Sequence, residues 1–385
     1  MSFRSCLTCL VWSGLAFFMA IFVLPLTSLW AEEGPAVVKP ADGRDKAASL
    51  DHPADQQRWV VFPIIASSPE TGLMLGGMLF HFLPVEATGE QASTIDLMVY
   101  GTTKGQYALS LSPNIFLASG TYRINASLDG SFWKANYYEP GNDSPDLSEK
   151  YELTSLTANL TLERRLFDFL VFDLLGYYDR SEIETEPGGM LATGQVFGAT
   201  DGTYVGLGVD GGYDTRDNTN SPTTGVVARY CYVKYAEGLG SDLDFSLQKA
   251  ELRYYRKIDW RKDSVLALAA DFRSTDGEVP FGYLSSPDGT MILRGIENGR
   301  YKDRDMISLQ SEYRFPIYKK ISGTVFAEAS QVAPGFGDME IKEFKTSLGS
   351  GFRYALNQDQ RFNIRADLAW VDDGIGVIVN IREAF

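Results

Sequence analysis

The sequence is poor in the side chains that bind metals or act as nucleophiles. Its 385 residues include only two histidines and three cysteines, whereas a zinc site normally takes three or four such ligands. It also lacks a basic excess, since 35 Lys and Arg stand against 50 Asp and Glu, a formal net charge of −15 at pH 7. Nucleic-acid binding relies on clustered Lys and Arg that displace counterions. We therefore expect no nucleic-acid partner.

Long apolar runs are equally scarce. A polytopic helical membrane protein needs several runs of about 20 residues, and only residues 7–31 form an uncharged apolar run, preceded by Arg4. This arrangement, with Ala31 ahead of two acidic residues, is typical of a secretory signal peptide. We predict a signal peptide over residues 1–31, with an uncleaved anchor as the alternative. Its removal would leave Cys231 as the one cysteine, which excludes an intramolecular disulfide.

The next segment, residues 32–57, is rich in Ala, Pro, Asp and Lys and shows no apolar periodicity. We predict it to be a disordered periplasmic linker. At about 26 residues it is too short for a compact domain, which usually takes 50 or more.

Glycine and aromatic residues are abundant instead, with 37 Gly and 13% aromatics. From Trp59 onward, short runs alternate apolar and polar residues with a period of two, which indicates β-strands. In residues 361–370 one face is apolar and the other carries Arg, Asn and Asp; residues 306–315 and 375–385 repeat the pattern, with Phe385 assigned to the apolar face. A membrane barrel turns such an apolar face to lipid and its polar face to the lumen, and closure leaves no strand edge in hydrocarbon.

We predict an all-β fold, a 16-stranded antiparallel transmembrane β-barrel over residues 58–385. The strands are expected near residues 58–66, 71–83, 93–103, 106–116, 120–134, 150–165, 168–180, 203–215, 223–236, 242–258, 264–275, 304–316, 321–332, 342–355, 361–371 and 375–385. The long connections, 135–149, 181–202 and 276–303, all follow odd-numbered strands, whereas most connections after even-numbered strands are short. Outer-membrane barrels show this asymmetry, which places the long loops outside the cell when the amino terminus is periplasmic.

Several motifs within the predicted barrel resemble those of one family. They are Leu293-Arg294-Gly295-Ile296 after strand eleven; Gly212 to Asn218 with Pro222 and Gly225 after strand eight; Gly349-x-Gly351-x-Arg353 and Arg365-x-Asp367-x-Ala369 in the penultimate strands; and the ending Asn380 to Phe385. Together they resemble the BamA/TamA superfamily of outer-membrane insertases and translocases, also called the bacterial surface antigen family. Because residues 32–57 are too short for a POTRA domain, the chain resembles a short member that lacks these domains.

The resemblance implies an inward-folded loop between strands 11 and 12, in which Arg294 and Gly295 lock the loop to the barrel wall. Alternation puts both Glu312 and Glu328 on lumen faces, and a guanidinium fork suits bidentate contact with a carboxylate. The sequence leaves open which glutamate pairs with Arg294, and a solvated loop charge is the alternative. The family has an aromatic residue, an Asp and a Gly at alternate positions of strand thirteen, where this chain has Phe326, Glu328 and Ser330.

The resemblance assigns two further sets of residues. The turn motif after strand eight comprises Asp214, Arg216, Asp217, Pro222 and Gly225. The carboxy-terminal signal for barrel assembly comprises Val379, Ile381 and Phe385.

The sequence offers no catalytic constellation. His81 is the one histidine of the predicted barrel, and no G-x-S-x-G motif occurs. The aspartates near residues 214, 217, 242 and 244 lack the spacing of a calcium loop, and Cys231 has no histidine beside it. We therefore expect no enzyme activity, no bound metal and no cofactor.

The function implied by the resemblance is assistance of outer-membrane protein insertion or translocation through a weak seam between the first strand and the last. Pro63 removes a ladder donor from the first strand and suits such a seam. The expected location is the outer membrane of a Gram-negative-type cell, and the expected partners are outer-membrane lipid, unfolded outer-membrane proteins and periplasmic proteins. The alternatives are a structural or pore-forming barrel without insertase activity, or a barrel subunit whose receptor modules belong to another chain.

Overall fold

A computed structural model describes residues 59–68, 71–83, 93–118, 120–145, 148–167, 169–258, 262–357, 361–372 and 374–385. The predicted signal peptide and linker lie outside the described residues. Within these ranges no helix has the length and apolar character needed to cross a bilayer.

Sixteen antiparallel strands close into a single barrel, which confirms the predicted fold class. The strands are β1 (Trp59–Ser68), β2 (Gly72–Phe82), β3 (Thr94–Thr102), β4 (Tyr107–Leu117), β5 (Tyr122–Tyr137), β6 (Glu149–Leu166), β7 (Leu170–Thr185), β8 (Gly202–Asp214), β9 (Gly225–Tyr235), β10 (Phe245–Ile258), β11 (Ser264–Gly277), β12 (Asp305–Tyr318), β13 (Ile321–Ala333), β14 (Lys345–Asn357), β15 (Phe362–Val371) and β16 (Gly374–Ile381). Each strand pairs with its sequence neighbour, and β1 also pairs with β16. Short 3₁₀ helices occur in the connections, at Glu237–Leu239, Phe281–Tyr283, Phe336–Asp338 and Ile341–Glu343.

Burial along the strands is the reverse of that in a soluble sheet. On β15 the charged side chains of Arg365 and Asp367 are 0% and 2% exposed, whereas Trp370 on the other face is 48% exposed. On β12, Glu312 is buried and Leu309 is exposed in the same way. Alternation in the sequence therefore separates an apolar outer surface, suited to lipid, from a charged interior.

The last strand is shorter than predicted. It ends at Ile381, and Arg382 then adopts a left-handed backbone conformation with φ 64°. The chain reverses there, so Phe385 packs with the inward-facing Tyr255 and Ala267 and is 6% exposed. The prediction that Phe385 continues the outward face of the strand was therefore wrong.

Three long connections, residues 138–148, 186–201 and 278–304, follow odd-numbered strands and so lie at one end of the barrel. Backbone hydrogen bonds join these loops to one another. Gly141 N donates to Lys302 O at 2.8 Å, and Phe281 N donates to Phe197 O at 3.1 Å. The β11–β12 connection, residues 278–304, thus touches both of the other long loops.

Candidate functional site

Arg294, in the β11–β12 loop, is a fully buried cation that binds Glu328 of β13. Its Nε lies 2.7 Å from Glu328 Oε1, and its backbone N donates to Glu328 Oε2 at 2.7 Å. The guanidinium carbon lies 3.4 Å from the centroid of the Phe326 ring, on the same strand. Glu328 therefore fixes both the side chain and the backbone of this loop residue.

Two further carboxylates face Arg294. Its Nη1 lies 3.0 Å from Asp367 Oδ2, and its Nη2 lies 3.7 Å from Glu312 Oε2. Glu312 makes shorter contacts elsewhere, to Arg353 Nη2 at 2.9 Å and to Thr324 Oγ1 at 2.7 Å. The structure thus brings Arg294 to both predicted glutamates, with Glu328 as the direct partner, and adds Asp367 to them.

The backbone of the loop is bonded to the barrel wall as well. Thr290 O accepts from Arg365 Nη2 at 2.6 Å, and Met291 O accepts from Gln310 Nε2 at 2.7 Å. Arg294 O accepts from Ser347 Oγ at 2.6 Å. Because a buried carbonyl without a partner is costly, these side chains of β12, β14 and β15 stabilise one position of the loop.

Gly295 also brings the β11–β12 loop close to the last strand. Its φ of 101° lies in the region that favours glycine, and a Cβ built there would lie 3.0 Å from the Ala369 Cβ. A Cβ built on Gly376 of β16 would in turn overlap the Gly295 Cα. The loop and β16 are therefore in backbone contact, which two glycines permit.

Ser330 stands where the family has glycine, and the structure gives it a polar role. Its Oγ lies 2.7 Å from Ser308 Oγ on β12 and donates to Ile307 O at 3.1 Å. The two serines thus form a hydrogen-bonded pair that links β12 and β13.

Arg353 connects the charged residues around Arg294 to Glu383, near the end of the barrel that lies away from the long loops. This side chain contacts Asp367 through Nη1, Glu312 through Nη2 at 2.9 Å, and Glu383 through Nε at 2.7 Å. Within the part of the chain that the structure describes, four buried cations and four buried carboxylates thus form one connected, neutral network: Arg294, Arg314, Arg353 and Arg365 with Glu312, Glu328, Asp367 and Glu383. Buried charges persist only when paired, so each member depends on the others.

The predicted turn motif, between β8 and β9, is held by its own carboxylates. Asp214 pairs with Arg216 at 2.7 Å. Asp217 accepts from Thr223 N at 2.8 Å and Thr224 N at 3.1 Å, and it pairs with Arg361 at 2.6 Å. Burial opposes ionisation of Asp217, but the hydrogen bonds from Arg361 and Thr223 outweigh it and lower its pKa to about 2. The turn is therefore built around an ionised Asp217.

The rest of this turn contacts the reversed end of the chain. Glu383 N donates to Asn220 O at 3.4 Å, and Ser221 Oγ donates to Glu383 Oε1 at 3.3 Å. Arg314 Nη1 donates to Pro222 O at 3.4 Å, and its Nη2 donates to Phe385 O at 2.9 Å. Residues 383–385 and the β8–β9 turn thus form one assembly with Arg314 between them.

The structure also places the remaining residues of the predicted turn motif and carboxy-terminal signal, Gly225, Val379 and Ile381. Gly225 begins β9 with φ 118°, where a Cβ would overlap Thr215 O. Val379 lies opposite Ala366 of β15 and Ser67 of β1. Ile381 lies opposite Ile364 in the ladder, and its side chain is outside the described atoms.

The sequence prediction gave no place in this network to five of its charged members: Arg314, Arg353, Arg365, Asp367 and Glu383. For the four that lie on strands, the available signal was their position opposite an apolar face. Charges that alternate with lipid-facing residues must point into a closed barrel and must find partners there.

The described residues contain no group of three or more His, Cys, Asp or Glu placed to hold a metal ion. The His81 ring lies 4.0 Å from the Trp59 ring across the β1–β2 pair. Cys231, on β9, is a free thiol.

The model of the Omp85 superfamily domain matches residues 85–377. The chain belongs to the Omp85 superfamily. It is thus an outer-membrane-type β-barrel of the group that includes BamA, as the sequence motifs predicted. None of the curated proteins compared with the chain matches it.

Solved structures show the same fold at low sequence identity. BamA from Haemophilus ducreyi lacking POTRA domains 1–3 is 13% identical with a TM-score of 0.62, over 85% of this chain and 70% of that chain. CdiB from Acinetobacter baumannii is 14% identical with a TM-score of 0.56, over 85% of this chain and 60% of that one. CdiB from Escherichia coli is 10% identical with a TM-score of 0.56, over 85% and 63%. This Omp85 chain thus spans less than two thirds of either CdiB structure.

Proposed function

We propose that this Omp85 barrel assists the insertion or translocation of outer-membrane proteins through the junction of β1 and β16. Among the described residues, the register of that junction holds the one pair Ser67–Val379. The adjoining β1–β2 ladder holds ten pairs and the β15–β16 ladder eight. Since each ladder hydrogen bond contributes about 0.5–1.5 kcal/mol, the β1–β16 junction is the seam that opens at least cost.

An open seam would act as a template. The N–H and C=O groups of β1 and β16 would face hydrocarbon, where each unsatisfied group costs several kcal/mol. An incoming strand removes that cost by pairing with the edge, which is β-augmentation. Pro63, opposite Gly77 in the β1–β2 register, lacks a backbone donor and weakens the first strand.

The β11–β12 loop is the proposed lock. In this proposal it lies inside the lumen, where Arg294 attaches it to Glu328 and Asp367 and Gly295 places it against Gly376 of β16. Movement of β16 away from β1 would therefore disturb the loop as well. The proposed location is the outer membrane, and the proposed clients are unfolded outer-membrane proteins.

A paired crosslinking experiment tests the seam. In a Cys231→Ser background, the double variant Ser67→Cys/Val379→Cys places two cysteines directly opposite each other across the seam, within reach of a disulfide. The control, Ala366→Cys/Val379→Cys, joins the same Val379 position to β15, to which it is already paired. The purified proteins are placed in liposomes, and the folding rate of a denatured model barrel is measured.

We expect the oxidised seam variant to fold the client no faster than protein-free liposomes, and a reductant to restore the rate. The control should match the parent protein in both states. An unmodified protein that does not accelerate folding would refute the proposal, and so would an oxidised seam variant that keeps the full rate. A large, persistently open conductance in planar bilayers would favour the pore-forming alternative.

A further inference from the structure

Lys302, three residues before β12, is a buried cation for which the described part of the chain supplies no carboxylate or hydrogen-bond acceptor. Its side chain is 6% exposed. The Nζ lies 4.3 Å from the centroid of the Tyr137 ring and 5.1 Å from that of Phe281. Because nothing offsets its burial, the pKa of Lys302 is lowered to about 8.

The ring faces stabilise the ammonium only in part. A cation–π contact offsets only part of the free-energy cost of burying an ion. The polar partner that this cation lacks therefore comes from outside the described chain. Water would solvate the ammonium, but only an anion would also balance its charge.

Lys302 lines a cavity of about 300 Å³, near the lower limit for a small-molecule site. The other walls include the amides of Asn136 and Asn298 and the rings of Tyr151 and Phe281. Both amides are engaged within the protein: Asn136 Nδ2 donates to Glu297 Oε1 at 2.8 Å, and Asn298 Oδ1 accepts from Gly289 N at 2.7 Å. The cavity thus combines one cation with an aromatic surface.

Asp288 is the one carboxylate among the residues that line this cavity. Its Oδ1 accepts from Thr290 N at 2.6 Å and from Met291 N at 3.0 Å, so its charge is partly used within the loop. It nevertheless disfavours a doubly charged ligand. One cation beside one engaged carboxylate suits a monoanion.

A larger cavity of about 760 Å³ adjoins the first, since Ala135, Asn136 and Tyr151 line both. Three lysines line this outer space, Lys104, Lys134 and Lys150, together with the glutamates at 152, 184, 186 and 297. It gives a ligand a polar route to Lys302 between the strands and the long loops.

We propose that the Lys302 cavity binds a small organic monocarboxylate. The carboxylate contacts the Lys302 ammonium, and the apolar body of the ligand packs against the aromatic surface of Phe281 and Tyr151, whose rings are in edge contact with each other at 5.5 Å. This site is separate from the seam and from the Arg294 network.

Calorimetric titration of the intact, detergent-solubilised protein with benzoate tests the proposal. We expect saturable binding at pH 7 that weakens above about pH 8, the pKa of Lys302 in the unliganded protein, by about tenfold for each pH unit, because the anion binds the charged amine. The other titratable groups that face the ammonium or the cavity are Asp288, Tyr137 and Tyr151. Benzyl alcohol, which has the ring without the charge, should not bind.

Two variants separate the inner cavity from the outer one. Lys302→Met should lose benzoate binding, whereas Lys150→Met, at an exposed position of the outer cavity, should keep it. If Lys302→Met does not fold, the pH dependence of the unmodified protein decides. Absence of saturable benzoate binding overturns the proposal, as does equal binding of benzyl alcohol, binding unchanged between pH 7 and pH 10, or binding of inorganic phosphate in place of benzoate.

Discussion

Gly295 of the β11–β12 loop and Gly376 of β16 approach so closely that a Cβ on Gly376 would overlap the Gly295 Cα. The loop that carries Arg294 therefore rests on the strand that forms one side of the proposed seam. Gly376 therefore cannot gain a side chain without displacing the loop, whereas a Cβ on Gly295 would lie 3.0 Å from the Ala369 Cβ of β15. This contact links the position of the loop to that of the last strand.

Gly376→Ala should destabilise the barrel by roughly 1–3 kcal/mol, because the added methyl group overpacks this contact. The measurement is the midpoint of heat-modifiable gel mobility, supported by urea unfolding in detergent. Gly130→Ala is the matched control, since Gly130 also lies within a strand and nothing lies within 4 Å of an added Cβ there. Equal midpoints for the two variants would show that the loop accommodates the methyl group.

Arg294→Ala should cost roughly 3–5 kcal/mol, because it leaves the buried Glu328 without its cation. Arg294→Lys keeps the charge but loses the bidentate contact, so we expect an intermediate loss. The free energy of unfolding in urea measures both. For comparison, Arg180→Ala removes an exposed pair with Glu182, which should cost less than about 1 kcal/mol. Similar losses for Arg294→Ala and Arg180→Ala would contradict the network.

Glu383→Gln should loosen the β8–β9 turn. The Glu383 carboxylate accepts from Arg353, Asn363 and Ser221, and a neutral amide has one oxygen fewer and no charge to offset the arginine. We expect faster trypsin cleavage after Arg216, within the turn, as measured by mass spectrometry of timed digests. Glu340→Gln, at an exposed position paired with Lys342, should leave the rate unchanged. An unchanged rate for Glu383→Gln would mean that the turn is held without it.

The strands could be predicted because alternation directly records which face meets lipid. The same periodicity led to the error at the end of the chain. It placed Phe385 on the outward face together with Ile375 and Val377, but it also placed Glu383 there. A charge on the lipid face is costly, by about 2–4 kcal/mol for Arg or Lys at mid-membrane and less for an acid. Glu383 was thus a sequence signal that the strand ends before it.

The pairing of charges could be predicted only in part. Alternation put Glu312 and Glu328 on inner faces, but it does not show at which height along the barrel axis each side chain lies relative to Arg294. That depends on the register of β12 to β15 and on the path of a 27-residue connection, residues 278–304. Asp367 comes within 3.0 Å of Arg294 through two ladders that the sequence does not specify. Glu383 reaches Arg353 only because the chain reverses at Arg382.

Acid should weaken the β8–β9 turn through Asp217. Its pKa in the folded protein is about 2, whereas an unperturbed Asp has a pKa of about 3.9. A depressed pKa contributes stability that is complete above the unfolded value and is lost as the pH falls through the folded one. The window is therefore about pH 4 to pH 2, and a shift of about two units corresponds to on the order of 2 kcal/mol.

Urea unfolding of the intact protein and of Asp217→Asn between pH 6 and pH 2 measures this contribution. Above pH 4 we expect the variant to be less stable by on the order of 2 kcal/mol, because Arg361 and the Thr223 and Thr224 amides lose an anionic acceptor. As the pH falls to 2 the difference should shrink toward zero, since Asp217 is then neutral in the unfolded state and about half neutral in the folded one. A difference that stays constant across the whole range would mean that the Asn variant disturbs packing instead of removing a charge, and that the carboxylate does not stabilise the turn.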